Sequence, residues 1–151
     1  MINTDCTATY PELLDIPVTT DIILDGEVYC VVETGRVDFE LIQKQSRIQK
    51  ADRIAAAVRN LPVRFMVWDI LHYAGKDLRK LPLMERKSIL QHVLPETSQI
   101  NKIRYIETAG TALHNMIVAN NLEGTVAKRK DSRYVGKRSN DWIKVILTRL
   151  L

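Results

Sequence analysis

The chain has 151 residues, 46% of them hydrophobic and 26% charged, with a net charge of +4, which suits one globular domain with a real core and excludes a disordered or fibrous chain. No apolar run reaches the length of a membrane helix, about 20 residues, and Met1 to Tyr10 holds no signal-peptide core. Cys6 and Cys30 share neither a metal spacing nor a Cys-x-x-Cys pattern, so a soluble cytoplasmic protein with unbridged thiols is expected.

In chain order, Ile22-Ile23-Leu24 runs through Asp25-Gly26-Glu27 into Val28 to Val32, which predicts strand, bulge or tight bend, strand. Asp38 is expected to cap a helical stretch carrying Phe39, Leu41 and Ile42, and a second helix is expected from Ala51 to Asn60. Val63 to Leu71 is apolar and of strand length, so it reads as a buried central strand. Ala74-Gly75-Lys76 is a turn. Pro82 then opens an amphipathic helix from Leu83 to Leu94, with Leu83, Leu90 and Leu94 on one face. A short strand is expected at Ile103 to Ile106, a helix at Ala112 to Asn120, and strands at Leu122 to Arg129 and Trp142 to Leu147. The order lacks regular strand–helix alternation, so the fold class is α+β, with largely antiparallel sheets and helices packed outside.

The charge is concentrated. Lys128, Arg129, Lys130, Arg133, Lys137 and Arg138 crowd one stretch, a local cluster that suits phosphate or nucleic acid as partner, although an isolated basic run is more often only a solvated loop. Glu123-Gly124 precedes Lys128, and Trp142-Ile143-Lys144 follows the basic loop. One carboxylate for a cation and spaced ammonium groups for phosphate oxygens suit a metal-bound polyphosphate. The histidines at 72, 92 and 114 share no ligand spacing and read as surface or core-edge groups.

Three segments in order, Leu24-Asp25-Gly26-Glu27, Phe65 to Asp69, and Glu123 to Lys128 with Trp142-Ile143-Lys144, resemble the ATP-dependent DNA ligases of the covalent nucleotidyltransferase superfamily. Tyr10-Pro11-Glu12-Leu13 and Pro82-Leu83-Met84-Glu85-Arg86 fit bacterial ligases of this type, and the likeness spans nearly the whole chain. The resemblance implies a ligase-type nucleotidyltransferase fold that uses ATP and Mg2+ to seal nicked or broken double-stranded DNA in repair and recombination. Glu27 matches the third motif, where a carboxylate contacts the ribose and supports the metal site. Trp68 takes the aromatic position that stacks on adenine. Glu123 would hold the divalent cation, and Lys128 and Lys144 would contact the phosphates. Lys130, Arg133, Lys137 and Arg138 are expected to face DNA.

The match also has gaps. The family stores AMP on the lysine of a Lys-x-Asp-Gly motif, and the only Asp-Gly here is Asp25-Gly26, with Ile23 two residues before it. Ile146 stands where the fifth motif's second lysine belongs. The 151 residues thus look like part of an adenylation domain, without the nucleophile segment or the following oligonucleotide-binding domain. No catalytic nucleophile is assigned, and the chain alone is expected not to adenylate itself. Sheet edges that such a segment would cover are expected to invite self-association. Two rival readings are an RNA-ligase or capping-type nucleotidyltransferase and a degenerate domain that only binds nucleotide or DNA.

Overall fold

The structure is a computed structural model and describes residues 4–31, 39–120 and 124–146. The long apolar run forms β2 (Val63–Tyr73), the strand on which the domain is organised. Antiparallel to it runs β1 (Ile22–Cys30). On the other side of β2 lie β3 (Lys76–Asp77), antiparallel near its end, and β4 (Ile100–Lys102), parallel near its start. A second, two-stranded sheet pairs β5 (Gly124–Lys128) with β6 (Trp142–Ile146). The helices are α1 (Phe39–Gln45), α2 (Ala51–Asn60), α3 (Leu83–Val93) and α4 (Gly110–Ala119). Helix α3 packs on β2, α4 against β5, and α1 against β1.

The core sits between β2 and α3. Val67, Ile70, Leu78, Leu90, Leu94 and Ile100 form its buried centre, flanked by Leu24, Phe65 and Ile89. Leu83, Leu90 and Leu94 share the inward face that the heptad-like spacing predicts. The turn after β2 is left-handed at Ala74 (φ 49°) and Gly75 (φ 76°), the geometry of a two-residue hairpin that adds β3 to the sheet. Asp21 fastens this turn through its carboxylate to Gly75 N–H (3.1 Å) and the His72 ring (2.5 Å).

One sequence expectation needs correction. The strand placed at Ile103 to Ile106 forms three residues earlier, as β4, and it is parallel to β2. Ile100 is the residue that buries, and Ile103 N–H makes the last bond to β2, at Val67 O (2.9 Å). Beyond it Tyr105 and Ile106 are 51% exposed. Apolar composition marked the neighbourhood, but burial chose the register. At Asp25-Gly26-Glu27 the bulge, not the tight bend, is what forms: β1 is continuous there, and its register with β2 shifts between Asp25 and Gly26. The helix cap expected at Asp38 lies outside the described residues, as do Leu122 and Glu123 at the start of the fifth strand and Leu147 at the end of the sixth. Among the described residues, β1 has a strand partner on one side only.

Candidate nucleotide site

The site begins with a miscount between two strands. Leu24 pairs Ile70 and Asp25 pairs Asp69, but Gly26 pairs Val67, so Trp68 is an extra residue with no partner on β1. A bulge of this kind re-aims the side chain it carries. Gly26 permits it, because a Cβ there would run into the Met66 carbonyl and meet the Phe65 ring at 2.8 and 2.9 Å. The Asp-Gly of the sequence is therefore a close approach of backbone to backbone.

The second sheet supplies the opposite side. Lys128 pairs Trp142 across β5 and β6, and Val126 pairs Lys144. Cross-strand pairs two residues apart share a face, so Val126, Lys128, Trp142 and Lys144 lie on one side of the hairpin. The Lys128 ammonium stands 3.7 Å from the centroid of the Trp142 ring and 5.9 Å from that of Trp68. Residues 60 positions apart in the chain are thus joined at one ammonium group. Burial pushes this lysine below its ordinary value; Asp69 and Asp25 oppose the shift and Arg86 adds to it. Val126, on the same face, is 53% exposed.

A buried polar system fixes the two sheets together. Arg86 and Asp69 are both fully buried. The guanidinium Nε and Nη2 donate to Asp69 Oδ1 and Oδ2 (2.9 and 2.8 Å), and Nη1 donates to the carbonyls of Leu81 (2.5 Å) and Ser132 (3.1 Å). Ile70 N–H completes the carboxylate at 2.9 Å. Trp142 Nε1 donates to Ser132 Oγ (3.0 Å), which donates to Arg129 O (2.8 Å). Tyr134 lies edge-on to Trp142, with centroids 5.5 Å apart, and its hydroxyl donates to Asp25 Oδ2 (3.1 Å). Burial first, then the Asp25 charge, pushes the Tyr134 phenol up to about 12, so it remains a donor. Backbone bonds from Met84 N–H to Lys130 O (3.1 Å) and from Tyr134 N–H to Arg79 O (2.9 Å) close the seam.

Of the residues singled out in the sequence, Trp68 and Lys128 meet directly, and Lys144 shares the hairpin face with Lys128. Glu27 lies two residues from Asp25 on the same face of β1 and is exposed. Glu123 lies outside the described residues. Lys130 is ion-paired with Glu107 at 2.6 Å, and Arg129 with Asp131 (2.9 Å) and Asp141 (3.3 Å). Arg133, Lys137 and Arg138 are exposed on the loop before β6.

Two residues given no role in the sequence prove central. Arg86 stands three residues after Leu83 and four before Leu90, so a charge on the core face of an amphipathic helix was the available signal. Trp142, two residues before Lys144 on a strand, had to share its face. As to a metal, the described residues contain no group of three or more ligand-type side chains able to hold an ion. Asp25 and Asp69 are engaged by Tyr134 and Arg86, which leaves Glu27 as the exposed carboxylate on that face of β1. Magnesium arriving with a polyphosphate needs only one or two carboxylates, and the carboxylates among the described residues are compatible with that mode of binding.

The ATP dependent DNA ligase domain model matches residues 3–145. The SPbeta prophage-derived DNA ligase-like protein LigB of Bacillus subtilis (strain 168) is 30% identical over 145 residues, covering 95% of this chain and 51% of that protein. The bifunctional non-homologous end joining protein LigD of the same organism is 28% identical over 159 residues, covering 93% of this chain and 26% of that one. Among solved structures, the ligase domain of M. tuberculosis LigD superposes with a TM-score of 0.74 at 26% identity, covering 95% of this chain and 45% of that one. A mycobacterial DNA ligase D complexed with ATP and MES gives 0.72 at 25% identity, with 93% and 44% covered. The chain spans about half the length, or less, of these curated relatives. No helix among the described residues is long and apolar enough to cross a membrane. By the extent of the family match, and with a fold to agree, the chain belongs to the ATP-dependent DNA ligase domain family.

Proposed function

We propose that this domain forms the adenine-nucleotide cradle of an ATP-dependent DNA ligase that seals broken double-stranded DNA, with DNA repair as its setting. The observation that carries the reading is the convergence of Trp68, Lys128 and Trp142 from two separate sheets on one point. An indole on a bulge offers adenine a flat face, and base stacking of this kind contributes about 1–3 kcal/mol. Lys128 and Lys144, on the same hairpin face, are placed to take phosphate oxygens. Each charge-assisted bond contributes about 1.5–3 kcal/mol. Glu27 serves the ribose. Glu123 with Glu27 would hold magnesium, which neutralises polyphosphate charge when bound. Arg133, Lys137 and Arg138 face the DNA backbone, whereas the Lys130 charge is partly answered by Glu107.

In the ligase reaction a lysine Nζ attacks the α-phosphorus of ATP and pyrophosphate leaves. The AMP then passes to a DNA 5′-phosphate, and the 3′-hydroxyl displaces it. These 151 residues contain no Lys-x-Asp-Gly to accept AMP, so their contribution to the first step is to bind and orient the nucleotide. Titrating the chain with ATP and magnesium is expected to show weak binding, reduced about tenfold or more by Trp68→Ala and by Lys144→Ala. With labelled ATP, no label is expected on the polypeptide. Unchanged affinity in both variants would mean that the pocket is wrongly placed, and a stable protein–AMP adduct would refute the assigned division of labour.

A further inference from the structure

Helix α3 presents Met84, Lys87 and Gln91 on one face, and across from them lie Lys102 and Tyr105. Together they line a groove of ≈ 320 Å³ beside the Lys128 seam. The Lys87 ammonium sits 5.1 Å over the Tyr105 ring. Like Lys128 it is half-buried, and among the described residues neither lysine has a carboxylate partner within ion-pair distance. Their elements are held side by side by the bonds from Met84 N–H to Lys130 O and from Arg86 to Ser132 O. A ring face softens an ammonium without supplying a counter-charge, so neither lysine is neutralised by the aromatic ring it rests on.

We propose that Lys87 is a further nucleotide-binding residue, taking polyphosphate oxygens from the α3 side while Lys128 takes them from the β5 side. The inference rests on the nucleotide reading above and extends it to a helix outside the motif lysines. Burial and the Lys128 charge push the Lys87 ammonium down to about 8, with Asp69 opposing and Arg86 adding to the shift. A bound anion relieves the repulsion between the two ammonium groups, so binding and protonation are linked. The other charged or titratable groups around Lys87 are Tyr105 after β4, Lys102 on β4 and His92 on α3.

The test is calorimetric titration of the 151-residue chain with magnesium ATP, adenosine and tripolyphosphate, at about pH 7 and about pH 9. Wild type, Lys87→Met, Lys87→Arg and Lys128→Met are compared. Lys87 is charged below about pH 8 and neutral above it, so wild-type affinity for ATP and tripolyphosphate falls across that interval. Lys87→Met weakens both by about tenfold at the lower pH and leaves adenosine unaffected. Lys87→Arg restores binding and removes the step between the two pH values, since arginine stays charged throughout. ATP affinity that Lys87→Met leaves intact while Lys128→Met weakens it overturns this inference alone. A wild type that binds none of the three ligands removes the nucleotide reading and this inference together. If Lys87→Met fails to fold, a wild-type affinity equal at the two pH values overturns the inference.

Discussion

Replacing Arg86 with methionine is expected to lower the unfolding free energy by about 3–5 kcal/mol, the usual consequence of removing one partner from a buried ion pair. Asp69 would keep only the Ile70 N–H and would remain fully buried. The carbonyls of Leu81 and Ser132 would lose their donor as well. Because Ser132 also receives Trp142 Nε1, the damage reaches the hairpin that carries Lys128. The double replacement Asp69→Leu with Arg86→Met is expected to cost less than the single one, since an apolar pair of similar size needs no charge compensation. Urea unfolding of Arg86→Met, Asp69→Leu and the double variant measures the coupling. A loss below about 1 kcal/mol for Arg86→Met would show that this ion pair does not hold the two sheets together.

Gly26→Ala is expected to destabilise the domain by about 3 kcal/mol, the upper end for over-packing, because part of the obstruction is backbone. The added methyl would strike the Met66 carbonyl and crowd the Phe65 ring, and Phe65 is packed against the core. Relief requires β1 and β2 to part at the bulge, which turns Trp68 away from Lys128. Loss of stability and loss of nucleotide affinity are therefore expected together. Gly75→Ala is the control. Its site has open space around it but a φ of +76°, so it should cost only about 1 kcal/mol and leave binding unchanged. Equal effects at the two glycines would contradict the close-approach explanation.

The elements that sequence could locate are those whose pattern follows from a single face. Helix α3 shows its leucine stripe, α2 has the bounds its composition suggests, and β2 is an apolar run of strand length. What escaped depends on pairing between distant segments. Nothing local in Phe65 to Asp69 reveals that Trp68 is supernumerary, because the bulge exists only in the register with β1. The position of β4 was set by which isoleucine buries against β2. The basic stretch reads in sequence as nearly unopposed charge. In three dimensions Glu107, from 23 residues away, answers Lys130. Trp68 and Lys144 were visible through resemblance; Arg86 stood in a run that fits the family, but its partner Asp69, like the place of Lys87, emerges only in contacts between distant segments.

The two tryptophans of the chain are Trp68 and Trp142, and each places its ring against the Lys128 ammonium. A proton–nitrogen correlation spectrum of the chain should therefore contain two indole N–H signals. Both are expected to shift in one saturating process as magnesium ATP is added, with the same apparent dissociation constant. If ATP moved neither signal, or bound while moving only backbone resonances remote from both rings, no nucleotide would lie between the two sheets.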